Sequence, residues 1–289
     1  MRITASRLLA VLAIGTAAAA TAAPALRVVT LAPHLAEIVC AAGGCGELAG
    51  VSAYTDYPPQ AAKVKRIGDA FAVNLEATLA AQPDLVIAWG GGTSPAAVAR
   101  LRALGLTVRT IDIRRPDDVA DAIERVGRWL GTDATAALAA HAYRARLAAL
   151  RRRYAQTQPI RVFYQIGTAP AYTVSGRSPL AQALTVCRGT DAFAGLGQLA
   201  APVSAEAVAR AAPQAVLYGR DDDAAAIARY WARLPQTPAE RFGNLYAVDD
   251  DLLARPGPRL LDGIARTCAV LDRARRRLPQ FSAPNRAAR

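Results

Sequence analysis

The 289-residue chain has only two histidines, His34 and His141, and no Cys-x-x-Cys spacing. A structural zinc site takes four thiolate or imidazole ligands, so no metal site is expected. Neither histidine has a serine or cysteine beside it in a nucleophile motif, and no catalytic constellation can be assigned. Gly90-Gly-Gly-Thr-Ser follows an apolar run but lacks the Gly-Lys-Ser/Thr ending of a phosphate loop, and reads as a tight turn. No segment beyond the N-terminus is long and apolar enough to cross a bilayer. Arginine is plentiful and the formal charge is +12. Even so, few aromatic residues interleave with the arginines and no nucleic-acid motif is present. Arg144, Arg146, Arg151 to Arg153 and Arg273 to Arg277 therefore read as a solvated basic face, not a nucleic-acid surface.

What the chain does have begins at its N-terminus. Arg2 and Arg7 precede an apolar run from Leu8 to Ala20, about a dozen residues and too short to span a membrane. Ala20-Thr-Ala22 then supplies small residues at cleavage positions. This pattern predicts a secretory signal peptide over 1–22 and a mature, soluble, exported chain from Ala23. No cysteine follows the run closely, so a lipid anchor is not expected. In an oxidising compartment the four cysteines predict disulfides. Pairing Cys40 with Cys45 and Cys187 with Cys268 keeps each bridge local, but four cysteines allow three connectivities and the sequence does not choose.

A pattern occurs twice, about 130 residues apart. Asn74-Leu-Glu76 leads through Pro83 to the apolar run Leu85 to Ala88, then Trp89-Gly90; Ser204-Ala-Glu206 leads through Pro213 to Ala215 to Leu217, then Tyr218-Gly219. Asn74 and Ser204 can cap short helices, the prolines stop them, and the apolar runs read as buried parallel strands. Each copy follows an Arg-Val strand, at Arg27 and Arg161.

Strands are predicted at Val28–Leu31, Leu48–Val51, Leu85–Trp89 and Val108–Ile111, then at Val162–Ile166, Ala215–Tyr218 and Leu245–Val248. Helical patterns separate them, which defines an α/β class with parallel-rich sheets. The expected plan is two Rossmann-like lobes, at 23–131 and 158–279, joined by a single long helix at 132–157, with a tail at 280–289. Leu138, Leu147, Leu150 and Tyr154 are among that helix's apolar positions. At about 1.5 Å per residue it spans roughly 35 Å. A continuous helix supplies few hinge residues, so only small closing motions are expected.

In such sheets ligands lie beyond the carboxyl ends of the strands. That rule nominates Pro33-His34, Tyr54 to Tyr57 with Asp56, Asp69 and Phe71, Trp89, Gly167 to Tyr172, and Asp249 to Arg255. The aromatic residues Tyr54, Tyr57, Phe71, Trp89 and Tyr172 suit a large, flat, partly apolar ligand. Asp251 and Arg255 can pair with each other or hydrogen-bond ligand amides.

Val51-Ser-Ala-Tyr54-Thr-Asp56-Tyr57-Pro-Pro-Gln60, the two glutamate patterns, Arg161-Val-Phe-Tyr-Gln and Asp251-Leu-Leu-Ala-Arg255 through Cys268 together resemble the periplasmic cobalamin-binding proteins of vitamin B12 ABC importers, within the class III periplasmic binding proteins. The resemblance covers essentially the whole mature chain. It implies a monomer in the periplasm that holds cobalamin or a related corrinoid between its lobes, as cargo and not as a cofactor, without catalysis. It implies ligand contacts from Tyr54 and from Asp251 to Arg255, and a Cys187–Cys268 bridge. It also implies that Glu76 and Glu206 dock on arginines of a membrane permease dimer. Cys40 and Cys45 are additional to the pattern. The chain departs from it at Ala70, at Leu199-Ala200 and at Leu252-Leu253, where aromatic residues are absent. A haem or ferric-siderophore receptor of the same fold is the alternative reading, and an exported α/β enzyme is a distant one.

Overall fold

The computed structural model describes residues 26–69 and 72–279. The predicted signal peptide, Phe71 and the 280–289 tail lie outside the described residues. The first sheet contains β1 (Val28–Thr30), β2 (Leu48–Val51), β3 (Leu85–Trp89) and β4 (Val108–Ile111), all parallel, in the order β2-β1-β3-β4. The second contains β5 (Ile160–Gln165), β7 (Gly189–Asp191), β9 (Ala215–Gly219) and β10 (Leu245–Val248), also parallel. Its order, β10-β9-β5-β7, is the first sheet's order with β5 in the place of β1 and β9 in the place of β3. Two short strands, β6 (Tyr172–Val174) and β8 (Ala200–Pro202), pair antiparallel beside the second sheet.

Side chains alternate between two cores along each central strand, as the period of two in a strand requires. Val28, Leu85, Ile87, Val162, Tyr164, Ala215 and Leu217 face one shared core. Val29, Val86 and Ala88 face a second core behind the first sheet, and Phe163 and Val216 a third behind the second sheet. The shared core runs through the long helix Asp133–Tyr154. Ala136, Ala140, Tyr143, Leu147 and Tyr154 form its buried stripe, spaced by three, four or seven residues as an amphipathic helix demands. Leu138 lies off that stripe and is 75% exposed, so it is not one of the packing positions that its apolar side chain indicated. The helix Asp118–Leu130 lies against this stripe, and Gly127 allows the approach: a Cβ there would sit 2.2 Å from the Ala136 Cβ. Arg144 bonds Asp121 and Glu124, and Arg151 bonds Asp117, so part of the basic face is paired rather than free.

The duplicated sequence pattern has a structural reason. The guanidinium of Arg27 donates to the Ala81 carbonyl at the end of the helix Leu75–Ala80, and that of Arg161 donates to the Ala211 carbonyl at the end of the helix Ala205–Ala211. The backbone N–H groups of the same arginines donate to Asp84 and Gln214. Each arginine thereby satisfies a helix-end carbonyl and fixes that helix to the adjacent strand. Asn74 and Ser204 accept from the backbone of Ala77 and Ala207 at the other ends. Glu76 and Glu206 thus occupy equivalent, exposed first-turn positions on the two lobes.

Both local disulfides are formed, Cys40–Cys45 and Cys187–Cys268. The first ties the end of the helix Pro33–Ala41 to the turn that follows it; the second anchors the helix Leu260–Arg277 in the shared core.

Candidate functional site: an inter-lobe cleft and its ionic bridge

Trp89 ends β3 and begins the Gly90-Gly-Gly turn, whose Gly92 and Thr93 N–H groups donate to the Trp89 carbonyl. The turn folds across the indole so closely that a Cβ at Gly92 would lie 2.1 Å from the ring. Glycine is required there by that approach, not by phosphate binding. Behind the indole lies His34, edge to face at 5.2 Å. His34 is buried, and burial together with the charge of Arg255 lowers its pKa to about 3, so the ring is neutral.

Trp89, Gly91, Pro179 and Leu199 form the common wall of two hollows between the lobes. One, about 360 Å³, is lined by Tyr164, Ile166, Val174, Leu180 and Ala254, with carboxylates at Asp222 and Asp250. Asp222 accepts from the Gly219 N–H at the end of β9. Burial, and then the negative charges of Asp250 and Asp222, push the Tyr164 hydroxyl above its ordinary pKa. Gln165 is spoken for: its carbonyl accepts from the Trp231 indole N–H at 2.6 Å and its amide donates to the Gly167 carbonyl. The other hollow, about 400 Å³, adds Asp112, Ile113, Arg114, Arg177 and Gly197.

Beside these hollows an ionic chain joins the lobes. Arg255 bonds Asp251 at 2.6 Å on its own lobe, and Asp56 at 3.0 Å and the Tyr54 carbonyl at 3.2 Å on the other. Arg259 bonds Asp56 at 3.1 Å and the buried Glu37 at 2.8 Å, and its guanidinium lies 4.4 Å from the centre of the Tyr57 ring. Burial raises the Asp56 pKa, but the hydrogen bond and charge of Arg255, with the charge of Arg259, outweigh it and hold the pKa down. At Glu37 burial wins over Arg259 and the pKa is raised. At Asp251 burial also wins over Arg255, helped by the neighbouring carboxylates.

The nominated residues therefore fall into groups. Trp89 lines both hollows. Asp56, Tyr57, Asp251, Arg255 and the backbone of Tyr54 meet in the ionic chain, while the Tyr54 side chain is 76% exposed. Tyr172 stands partly exposed on β6, bridged to Ile166. Leu252 and Leu253 are buried and do not replace ligand-facing rings. His141 is exposed on the long helix. Among the described residues no group of three or more His, Cys, Asp or Glu is placed to hold a metal ion. Sequence reasoning missed Tyr164, Asp222, Leu199, Arg114 and Arg177. The strand-end rule could have found the first two, which stand at the ends of β5 and β9.

Two α/β lobes of identical strand order, a long connecting helix and a cleft between them define a substrate-binding architecture. Residues 28–252 match the periplasmic binding protein family, and the chain belongs to it. It is 36% identical over 254 residues to a vitamin B12-binding protein of Vibrio cholerae, covering 88% of this chain and 91% of that protein. It is 32% identical to a vitamin B12-binding protein of Yersinia pestis, covering 84% and 85%. Among solved structures, the periplasmic vitamin B12-binding protein BtuF of Vibrio cholerae superposes with a TM-score of 0.79 at 36% identity, over 87% of this chain and 98% of that one. The periplasmic haem-binding protein BhuT, in complex with two haems, also gives 0.79, at 27% identity over 86% and 99%.

Proposed function

We propose that this protein captures cobalamin in the cleft between its lobes, in the periplasm, and delivers it to the permease dimer of an ABC importer, without catalysing a reaction. The observation that carries the reading is the character of the cleft wall. An indole and an apolar surface from Ile166, Val174, Leu180 and Leu199 stand beside the carboxylates Asp222 and Asp250. Such a wall suits a large macrocycle whose periphery carries neutral amides, because amide N–H groups donate to carboxylates. A haem brings carboxylates of its own, which Asp222 and Asp250 repel. Among the described residues lining the two hollows, Tyr164 alone has a side chain suited to haem iron, and burial with the nearby carboxylates disfavours its phenolate form. The similarity to vitamin B12-binding proteins exceeds that to the haem-binding protein in identity, 36% against 27%.

Calorimetric titration of the processed protein with cyanocobalamin, ferric haem and a ferric siderophore tests this. One-to-one saturation with cobalamin is expected; saturation by haem or siderophore with none by cobalamin would overturn it. Trp89→Ala and Tyr54→Ala should each weaken cobalamin binding by about 1–3 kcal/mol, the scale of one buried aromatic side chain. An unchanged affinity removes that residue from the site.

A further inference from the structure

The cleft is electrically polarised. The hollow beside Tyr164 carries Asp222 and Asp250 and no cation among its described lining residues. The adjoining hollow carries Asp112, Arg114 and Arg177. Arg114 and Asp112 bond each other at 2.7 Å and cancel. Arg177 is exposed and makes no ion pair or side-chain hydrogen bond among the described residues, which leaves that hollow with one net positive charge. The backbone that carries it is fixed. Ser175 N–H donates to the Leu199 carbonyl at 2.8 Å, Gly176 N–H to that of Ala194, and Ser178 N–H to that of Ser175. Gly176 packs so tightly that a Cβ would lie 2.9 Å from the Ala194 side chain. A free guanidinium on a pinned turn, at the rim of a cavity, is placed to receive an anion. The two hollows share Trp89, Gly91, Pro179 and Leu199, so one cargo molecule that fills both meets carboxylates at one end and this guanidinium at the other.

Resting on the functional reading above, we infer that Arg177 is a specificity residue that reads a single anionic oxygen group on the cargo, the phosphodiester of cobalamin's nucleotide loop. That phosphodiester carries one negative charge, and every other peripheral group of the cargo is neutral. The match is one charge against one, at one end of the cleft. It would select complete corrinoids over those that lack the nucleotide loop.

The test compares cyanocobalamin with dicyanocobinamide, which has the corrin ring and its amides but no phosphodiester, on wild type, Arg177→Gln and Arg177→Lys. Arg177→Gln should weaken cobalamin binding about tenfold, the scale of one charge-assisted hydrogen bond at a partly exposed site, and leave cobinamide within about twofold. Arg177→Lys should recover part of the loss, and added salt should narrow the gap between wild type and Arg177→Gln. Equal weakening of both corrinoids would mean that Arg177 only packs against the ring, and no change in either would remove it from the site; both overturn the inference while leaving cobalamin as cargo. Failure of wild type to bind either corrinoid removes the functional reading and this inference with it. Saturation by haem that Arg177→Gln weakens would assign the guanidinium to a carboxylate instead.

Discussion

Arg259→Met is expected to destabilise the protein by roughly 3–5 kcal/mol at pH 7, the cost of stranding a buried charge. Arg259 is the partner of Glu37, which is buried on the helix Pro33–Ala41 and whose second carboxylate oxygen finds no hydrogen-bond partner among the described residues. Methionine keeps most of the volume and removes both hydrogen bonds to Glu37. The pH dependence follows from the direction of the shift. Burial raises the folded pKa of Glu37 even with Arg259 present, and losing Arg259 raises it further. A carboxyl raised in the folded state contributes its full stability below its unfolded pKa, about 4.3, and that stability is lost as pH rises through the folded value. The deficit relative to wild type should thus be greatest at pH 7 and close toward pH 4. Asp56 works in the same direction: its lowered pKa stabilises the fold above the unfolded value, and losing Arg259 removes part of that support. His34 adds acid sensitivity of its own, since it stays neutral in the fold down to about pH 3, but it does so equally in both proteins and cancels in the comparison. Urea unfolding at several pH values measures the deficit. Glu37→Gln combined with Arg259→Met should recover most of the lost stability, because no stranded charge remains. A double variant as unstable as the single one would show that packing of Arg259 on Tyr57, 4.4 Å away, and not the buried charge, sets the cost.

The architecture was legible where a physical pattern reached the length of an element. The seven predicted strands all form. The central ones are apolar runs flanked by turn or helix signals and buried on both sides, whereas β4 and β10, at sheet edges, are buried only in part. Strand β7 was not legible. Gly189-Thr-Asp is three residues long with no apolar run, and it becomes a strand only because β5 offers a free edge. Strands β6 and β8 are equally short, and Arg177, in the turn after β6, was hidden with them. The ionic chain was invisible for another reason. Asp56 and Arg255 are 199 residues apart, and no local pattern says that two strand-end loops on different lobes will meet. Conversely, Arg27 and Arg161 were visible as a repeat before their purpose was, since a helix-end carbonyl accepting from a guanidinium across the lobe is a tertiary fact. Leu138 shows the limit of composition: its neighbours on the helix are Thr135, His141 and alanines, and only the stripe of Ala136, Ala140 and Tyr143 decides which face turns inward.

The double variant Glu76→Arg with Glu206→Arg is expected to retain its fold and cobalamin affinity and to lose uptake altogether. Each glutamate sits in the first turn of a capped helix, where a carboxylate interacts favourably with the helix dipole. At Glu206 the backbone N–H of the residue itself, and then the Ser204 side chain, hold the pKa down. That local role is sufficient to explain either glutamate alone, and it predicts only a small loss of stability on reversal, because both side chains are exposed. The pair calls for more. The two helices share a capping geometry, an arginine holding the far end and a place in sheets of the same strand order, so the two carboxylates are related as the lobes are related. A permease dimer presents each of its surfaces twice. Two equivalent carboxylates, one per lobe, can each engage a basic patch on one permease subunit, and charge-assisted contacts with arginine would set the orientation in which the cleft meets the translocation path. Reversing one charge should weaken docking; reversing both places like charges together at both contacts and should abolish it. Cobalamin affinity measured by calorimetry, and uptake measured in vesicles reconstituted with the cognate permease, separate the two roles. Normal uptake by the double variant would leave the glutamates as helix-end residues alone, whereas intact affinity with no uptake assigns them to the permease contact.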